Sequence, residues 1–123
     1  METINNQLLI KISEEFSKGN LDFATAYLAD DIRWNILGQN SITGKQEILE
    51  VSKMSQLQSF PVITIKLVIA ESNYVVIEST GTATTKTGKP YNQSYCDIFR
   101  FENEQLKEIT TYLDTALSRD ADN

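Results

Sequence analysis

Asp97 is the residue of this chain best placed to do chemistry, and it lies in the stretch Tyr91–Phe101, YNQSYCDIFRF. Read with the two-residue period of a strand, one face carries Tyr91, Gln93, Tyr95, Asp97, Phe99 and Phe101. A carboxylate among aromatic rings is costly to ionise. Kept neutral, it can donate a hydrogen bond. The partner that strand arithmetic offers is Glu78. With Thr87 and Gly88 as a two-residue hairpin turn, Lys86 pairs with Lys89 and Glu78 falls opposite Asp97. Thr80 then faces Tyr95, and Thr82 faces Gln93. Opposed side chains on one face have Cβ atoms about 4.5–5.5 Å apart, so two carboxylates there share a proton and titrate as a unit. The expectation is an acid–base dyad of Asp97 and Glu78 beneath a mostly apolar pocket lined by Trp34 and Tyr95. The same residues also allow a plainer arrangement. Tyr95, threonine hydroxyls, Lys66 or water would then satisfy the carboxylates, which orient a ligand or the core.

Composition narrows the chemistry further. The 123 residues include no histidine and one cysteine, Cys96. Histidine bases and Ser–His or Cys–His nucleophiles are therefore excluded, as are imidazole or thiolate metal sites. No metal and no cofactor are expected. A net charge of −6 argues against a nucleic-acid partner, because such binders present basic patches. The apolar run Val62–Ala70 is too short to span a membrane and contains Lys66. The N-terminus METINNQLLIKISEE lacks the basic start and apolar run of a signal peptide. Together with the unpaired cysteine, this gives the expectation of a cytoplasmic protein.

The elements that must position these residues read as a single domain. Ile4, Leu8, Leu9, Ile12 and Phe16 recur at helical spacing up to Ser17, where Lys18–Asn20 stops the helix. A short second helix is expected over Leu21–Leu28. The stretch ADDIRWNILG then alternates, with Ile32, Trp34 and Ile36 on one face. A third helix is expected over Lys45–Ser55. Strands follow over Val62–Glu71, entered by Pro61, and over Tyr74–Thr85, Tyr91–Phe101 and Leu106–Asp114. The polar tail Ser118–Asn123 is expected to fray. Helices gathered ahead of an antiparallel meander predict an α+β fold, with three N-terminal helices packed on a strongly curved antiparallel sheet. A simple turn at Asn103–Glu104 points Tyr112 and Asp114 inward beside Asp97.

This order, with ADDIRWNILG, ITGKQEI, TGKPYNQSYCDIFRF and YLDT, resembles the SnoaL-like and ketosteroid-isomerase-like branch of the nuclear transport factor 2-like superfamily. The resemblance covers about Leu8 to Thr115. It implies a cystatin-like cone with a pocket at its open end, and a homodimer through the outer face of the sheet. Of the three functional positions of ketosteroid isomerases, the hydrogen-bond-donating acid matches Asp97. The base falls on Asn35 or Ile36, and the oxyanion-hole tyrosine falls on Ile12. The epoxide-hydrolase machinery of the same superfamily falls on Thr80, Glu78 and Thr111, with its water-positioning pair on Trp34 and Ile36. None of these five matches in type. Matched without gaps, Thr111 points inward instead of Tyr112, so both facings of the last strand stand open here. The residues expected around a ligand are Trp34, Thr80, Tyr95, Phe99, Ile12, Ile36 and Thr111. The ligand expected is a small apolar or amphipathic molecule. The implied activity is either a cofactor-independent isomerase, cyclase or hydratase-type proton transfer, or non-catalytic binding or protein association on the same scaffold.

Overall fold

A computed structural model describes residues 2–53, 62–84 and 87–115. Pro61, Lys86, the last residues of the expected third helix and the polar tail lie outside the described residues. Helix α1 (Glu2–Ser17) carries Leu9, Ile12 and Phe16 into the core. It ends in a Schellman arrangement: Gly19 adopts φ +84°, its N–H bonds Phe16 O, and the Asn20 N–H bonds Glu15 O. Helix α2 (Leu21–Ala24) is shorter than its apolar pattern predicts. It tightens into a 3₁₀ turn over Thr25–Tyr27, and Leu28 already belongs to the first strand. Thr25 donates its hydroxyl back to Leu21 O, a local bond that competes with helix continuation.

Strand β1 (Leu28–Ile36) is followed by β2 (Ile42–Thr43), a two-residue strand that the alternation did not predict, and by helix α3 (Lys45–Lys53). The meander consists of β3 (Val62–Glu71), β4 (Tyr74–Thr84), β5 (Pro90–Glu102) and β6 (Gln105–Thr115). The sheet order is β2-β1-β6-β5-β4-β3. All pairs are antiparallel except β1 with β6, which is parallel and makes the sheet mixed. The helices cover one face of this curved, unclosed sheet, as the α+β reading requires. Phe99, Phe101, Leu106, Ile109, Val75 and Ile77 meet Ile12 and Phe16 there.

Two irregularities decide which side chains enter the concave face. The β4–β5 register pairs Thr84 with Pro90, so an odd number of residues separates the paired positions. A two-residue turn at Thr87–Gly88 needs an even number. Gly88 at φ +88° supplies the left-handed residue that longer hairpin loops use. The register is therefore one residue away from the predicted one. At the other hairpin the two-residue turn does form, with Asn103 and Glu104 both at positive φ, 52° and 64°. A bulge then follows. Phe101 pairs with Leu106, whereas Arg100 pairs with Glu108. The extra residue reverses the facing of everything beyond it in β6.

Candidate functional site

Asp97 pairs with Ile77 across β4 and with Thr111 across β6. It is 8% exposed and Thr111 3% exposed, so both belong to the concave face. The Thr111 hydroxyl is 2.6 Å from Asp97 Oδ1, and the Trp34 indole N–H donates to Thr111 Oγ1 at 2.8 Å. On the other carboxyl oxygen, Ser17 Oγ of α1 approaches Oδ2 at 3.5 Å, the outer limit of a hydrogen bond. Burial pushes the Asp97 carboxyl above its ordinary range. The bonds from Thr111 and Ser17 pull the other way without cancelling that effect. No charged side chain among the described residues enters this balance. The result is a carboxyl that holds its proton more tightly than a solvent-exposed aspartate does.

Aromatic packing holds the surroundings. Phe16 meets Trp34 edge-on at 5.3 Å and Phe99 at 6.0 Å between ring centroids. Tyr95, half-buried, donates from its hydroxyl to Gln93 Oε1 at 2.8 Å. Its ring lies over Gly81, where an added Cβ would sit 3.1 Å from Tyr95 Cε2 and 2.9 Å from Ile63 Cδ1. Gly81 thus makes room for an aromatic ring that any side chain would displace.

The expected dyad does not form. Glu78 pairs with Cys96 on the opposite, outer face, and the residue across from Asp97 is Ile77. Thr80 and Thr82 likewise lie on the outer face, paired with Ser94 and Asn92 rather than with Tyr95 and Gln93. The cause is the one-residue difference in the β4–β5 hairpin, which sends every side chain of β4 to the other side of the sheet. Ile12 and Phe99 have no exposed surface and belong to the core cluster, not to a ligand-accessible wall. Trp34 and Ile36 are half-buried, and Thr111 faces inward beside Asp97. Tyr112 and Asp114 are exposed on the outer face, so the inward facing expected from a simple turn is overturned by the bulge.

Ser17 and the Trp34–Thr111 bond were not foreseen. Ser17 follows Ser13 by one helical turn at the margin of the apolar stripe, and small polar residues there are a weak signal of an inward face. Among the described residues no group of three or more Cys, Asp or Glu side chains gathers as a metal site requires. No helix among them is long and apolar enough to cross a membrane.

Residues 10–109 match the model of the SnoaL-like domain. The chain belongs to the SnoaL-like family. A crystal structure of a nuclear transport factor 2-like protein of unknown function from Cytophaga hutchinsonii is 32% identical, with a TM-score of 0.77, 89% of this chain and 98% of that chain being covered. Two more distant structures share the fold. One is a protein with a ketosteroid isomerase-like fold from Catenulispora acidiphila, in complex with trimethylamine. It is 15% identical, with a TM-score of 0.70 and 85% and 83% of the two chains covered. The other is an LEH-like epoxide hydrolase from M. tuberculosis, 17% identical, with a TM-score of 0.72 and 91% and 84% covered. A comparison with curated proteins gives no match. The SnoaL-like membership explains the cone. It leaves the reaction open, because this scaffold carries unrelated activities.

Proposed function

We propose that this SnoaL-like protein binds a small, largely apolar molecule bearing a carbonyl or hydroxyl oxygen on the concave face, with Asp97 making the polar contact. One observation carries the reading. A buried carboxyl, whose proton is held more tightly than usual, has Oδ1 engaged by Thr111 while Oδ2 has, among the described residues, only the long approach of Ser17. A neutral acid so placed donates to a carbonyl and strengthens that bond as negative charge develops on the oxygen. The enzymatic form of the proposal is accordingly narrower than an acid–base pair. Asp97 would stabilise an enolate oxygen in an isomerase, cyclase or hydratase-type proton transfer, and Glu78 takes no part.

The test is an NMR titration of amide and carboxyl resonances with 1-indanone, and with indane as the same frame lacking the oxygen. The ketone is expected to bind about fivefold tighter than indane, the ratio one net hydrogen bond supplies. Shifts should centre on Asp97, Thr111 and Trp34, and Asp97→Leu should erase the difference. Equal binding of the two compounds, or the same ketone preference in Asp97→Leu, overturns the reading.

The homodimer is proposed through the outer face of the sheet. Leu67 (49% exposed), Ile69, Tyr74 and Tyr112 (44%) present apolar surface there. An open groove of about 470 Å³ crosses the same face, lined by Leu67, Val76, Cys96 and Tyr112 together with Lys66 and Glu78. A patch holding both signs of charge beside apolar surface can mate with itself across a two-fold axis, Lys66 of one copy toward Glu78 of the other. Light scattering on the purified chain is expected to give twice the monomer mass. A strictly monomeric result at high micromolar concentration would refute this surface as a self-association face.

A further inference from the structure

The hydrogen-bond inventory of the concave face restricts where Asp97 can keep its proton. Trp34 Nε1 is a donor only, and it lies 2.8 Å from Thr111 Oγ1. One acceptor site of the hydroxyl is therefore occupied, and its own proton needs an acceptor. Asp97 Oδ1 stands 2.6 Å away. In the reverse arrangement, Asp97 would donate to the second lone pair of Thr111. The hydroxyl proton of Thr111, a residue only 3% exposed, would then have no acceptor among the described residues, and an unmade bond from a buried donor is the costlier state. Oδ1 is thus an acceptor in either charge state of Asp97, and a neutral Asp97 carries its proton on Oδ2, where among the described residues only Ser17 lies within reach at 3.5 Å.

We infer that Thr111, itself oriented by Trp34, is a positioning residue that holds the Asp97 proton on Oδ2, so that the concave site selects ligands whose polar atom accepts a hydrogen bond over ligands that only donate one. Ketones, esters and enolates fit, and an N–H donor of equal shape does not. This inference rests on the binding reading above. It adds a specificity that burial alone does not supply, because a neutral acid with an unconstrained proton can present either oxygen.

The experiment compares 1-indanone (acceptor only), indole (donor only) and indane on one bicyclic frame, by NMR titration of the whole chain. The pH is held below the titration midpoint of Asp97 measured in the same sample. Wild type is expected to prefer 1-indanone to indole by about fivefold. Thr111→Val should reduce that ratio to about twofold or less while indane binding stays constant, and Thr111→Ser, which keeps the hydroxyl, should restore it. Indole binding wild type as tightly as 1-indanone overturns the inference without any variant, so an unfolded Thr111→Val does not protect it. Retention of the ketone preference in a folded Thr111→Val, or equal loss of all three ligands, also overturns it. These results leave the Asp97 reading standing. That reading fails separately, when 1-indanone and indane bind alike and Asp97→Leu changes neither.

Discussion

The two faces of β5 hold neighbouring residues in opposite circumstances. On the concave side, Asp97 is buried, bonded by Thr111 and pushed toward neutrality. On the outer side, Cys96 pairs with exposed Glu78 beside an open groove. Burial and the nearby carboxylates Asp97 and Glu78 push the Cys96 thiol up, away from the thiolate that nucleophilic chemistry needs. A single peptide unit separates a solvent-poor acid from a surface built of mixed apolar and charged groups. The difference teaches that in this sheet position along the chain counts for less than parity. A step of one residue changes a side chain from candidate site to candidate interface.

The most damaging way to break that contrast is to put a second acid where the dyad would have stood. Ile77→Glu places a carboxylate directly across from Asp97 at a position with no exposure. The expected loss is about 3–5 kcal/mol in urea unfolding, from desolvation and like-charge repulsion together. Thr111→Val comes next. It strips a partner from both Trp34 Nε1 and Asp97 Oδ1, and calorimetry should show a loss of about 1–3 kcal/mol.

Asp97→Asn tests the sign of the electrostatics. Because the folded state holds the Asp97 proton more tightly than the unfolded chain does, the stability linked to it is complete at acid pH. It is lost as pH rises through the folded-state value. Asparagine does not titrate. The stability of the variant relative to wild type should therefore increase across that window and level off above it, as read from urea midpoints at several pH values. A relative stability that falls with rising pH would contradict a raised Asp97 value. Two gentler changes probe the outer face. Tyr112→Glu should halve the mass seen by light scattering while the fold is retained. Glu78→Gln should change stability by less than about 0.5 kcal/mol and leave the NMR titration of Asp97 in place. An Asp97 midpoint that moved with Glu78→Gln would put the two carboxylates back on one face.

Much of the architecture was legible because periodicity is a local property. The 3.6-residue recurrence of Leu9, Ile12 and Phe16 marks α1, and the alternation Ile32–Trp34–Ile36 marks β1, each without reference to the rest of the chain. The inward facing of Asp97 was legible for the same reason, since its aromatic neighbours on β5 must bury together. The pairing of β1 with β6 in parallel, and the addition of β2 at the edge, depend on contacts between distant segments and left no such mark.

The amino-acid sequence by itself determined an α+β SnoaL-like chain, removed histidine chemistry and thiolate metal sites, and put one carboxyl on the apolar side of a strand. Only the tertiary structure decided that carboxyl's company. Whether the β4–β5 loop holds an odd or even number of residues, and whether β6 bulges after Leu106, are settled by how the strands pack on α1 and on each other. Each choice inverts a whole strand at little local cost, so turn residues alone do not encode it. Packing chose Thr111 and Ile77 as the neighbours of Asp97 and sent Glu78 outward, because burying Ile77 and Val75 against the helices gains more than burying a second charge ever could.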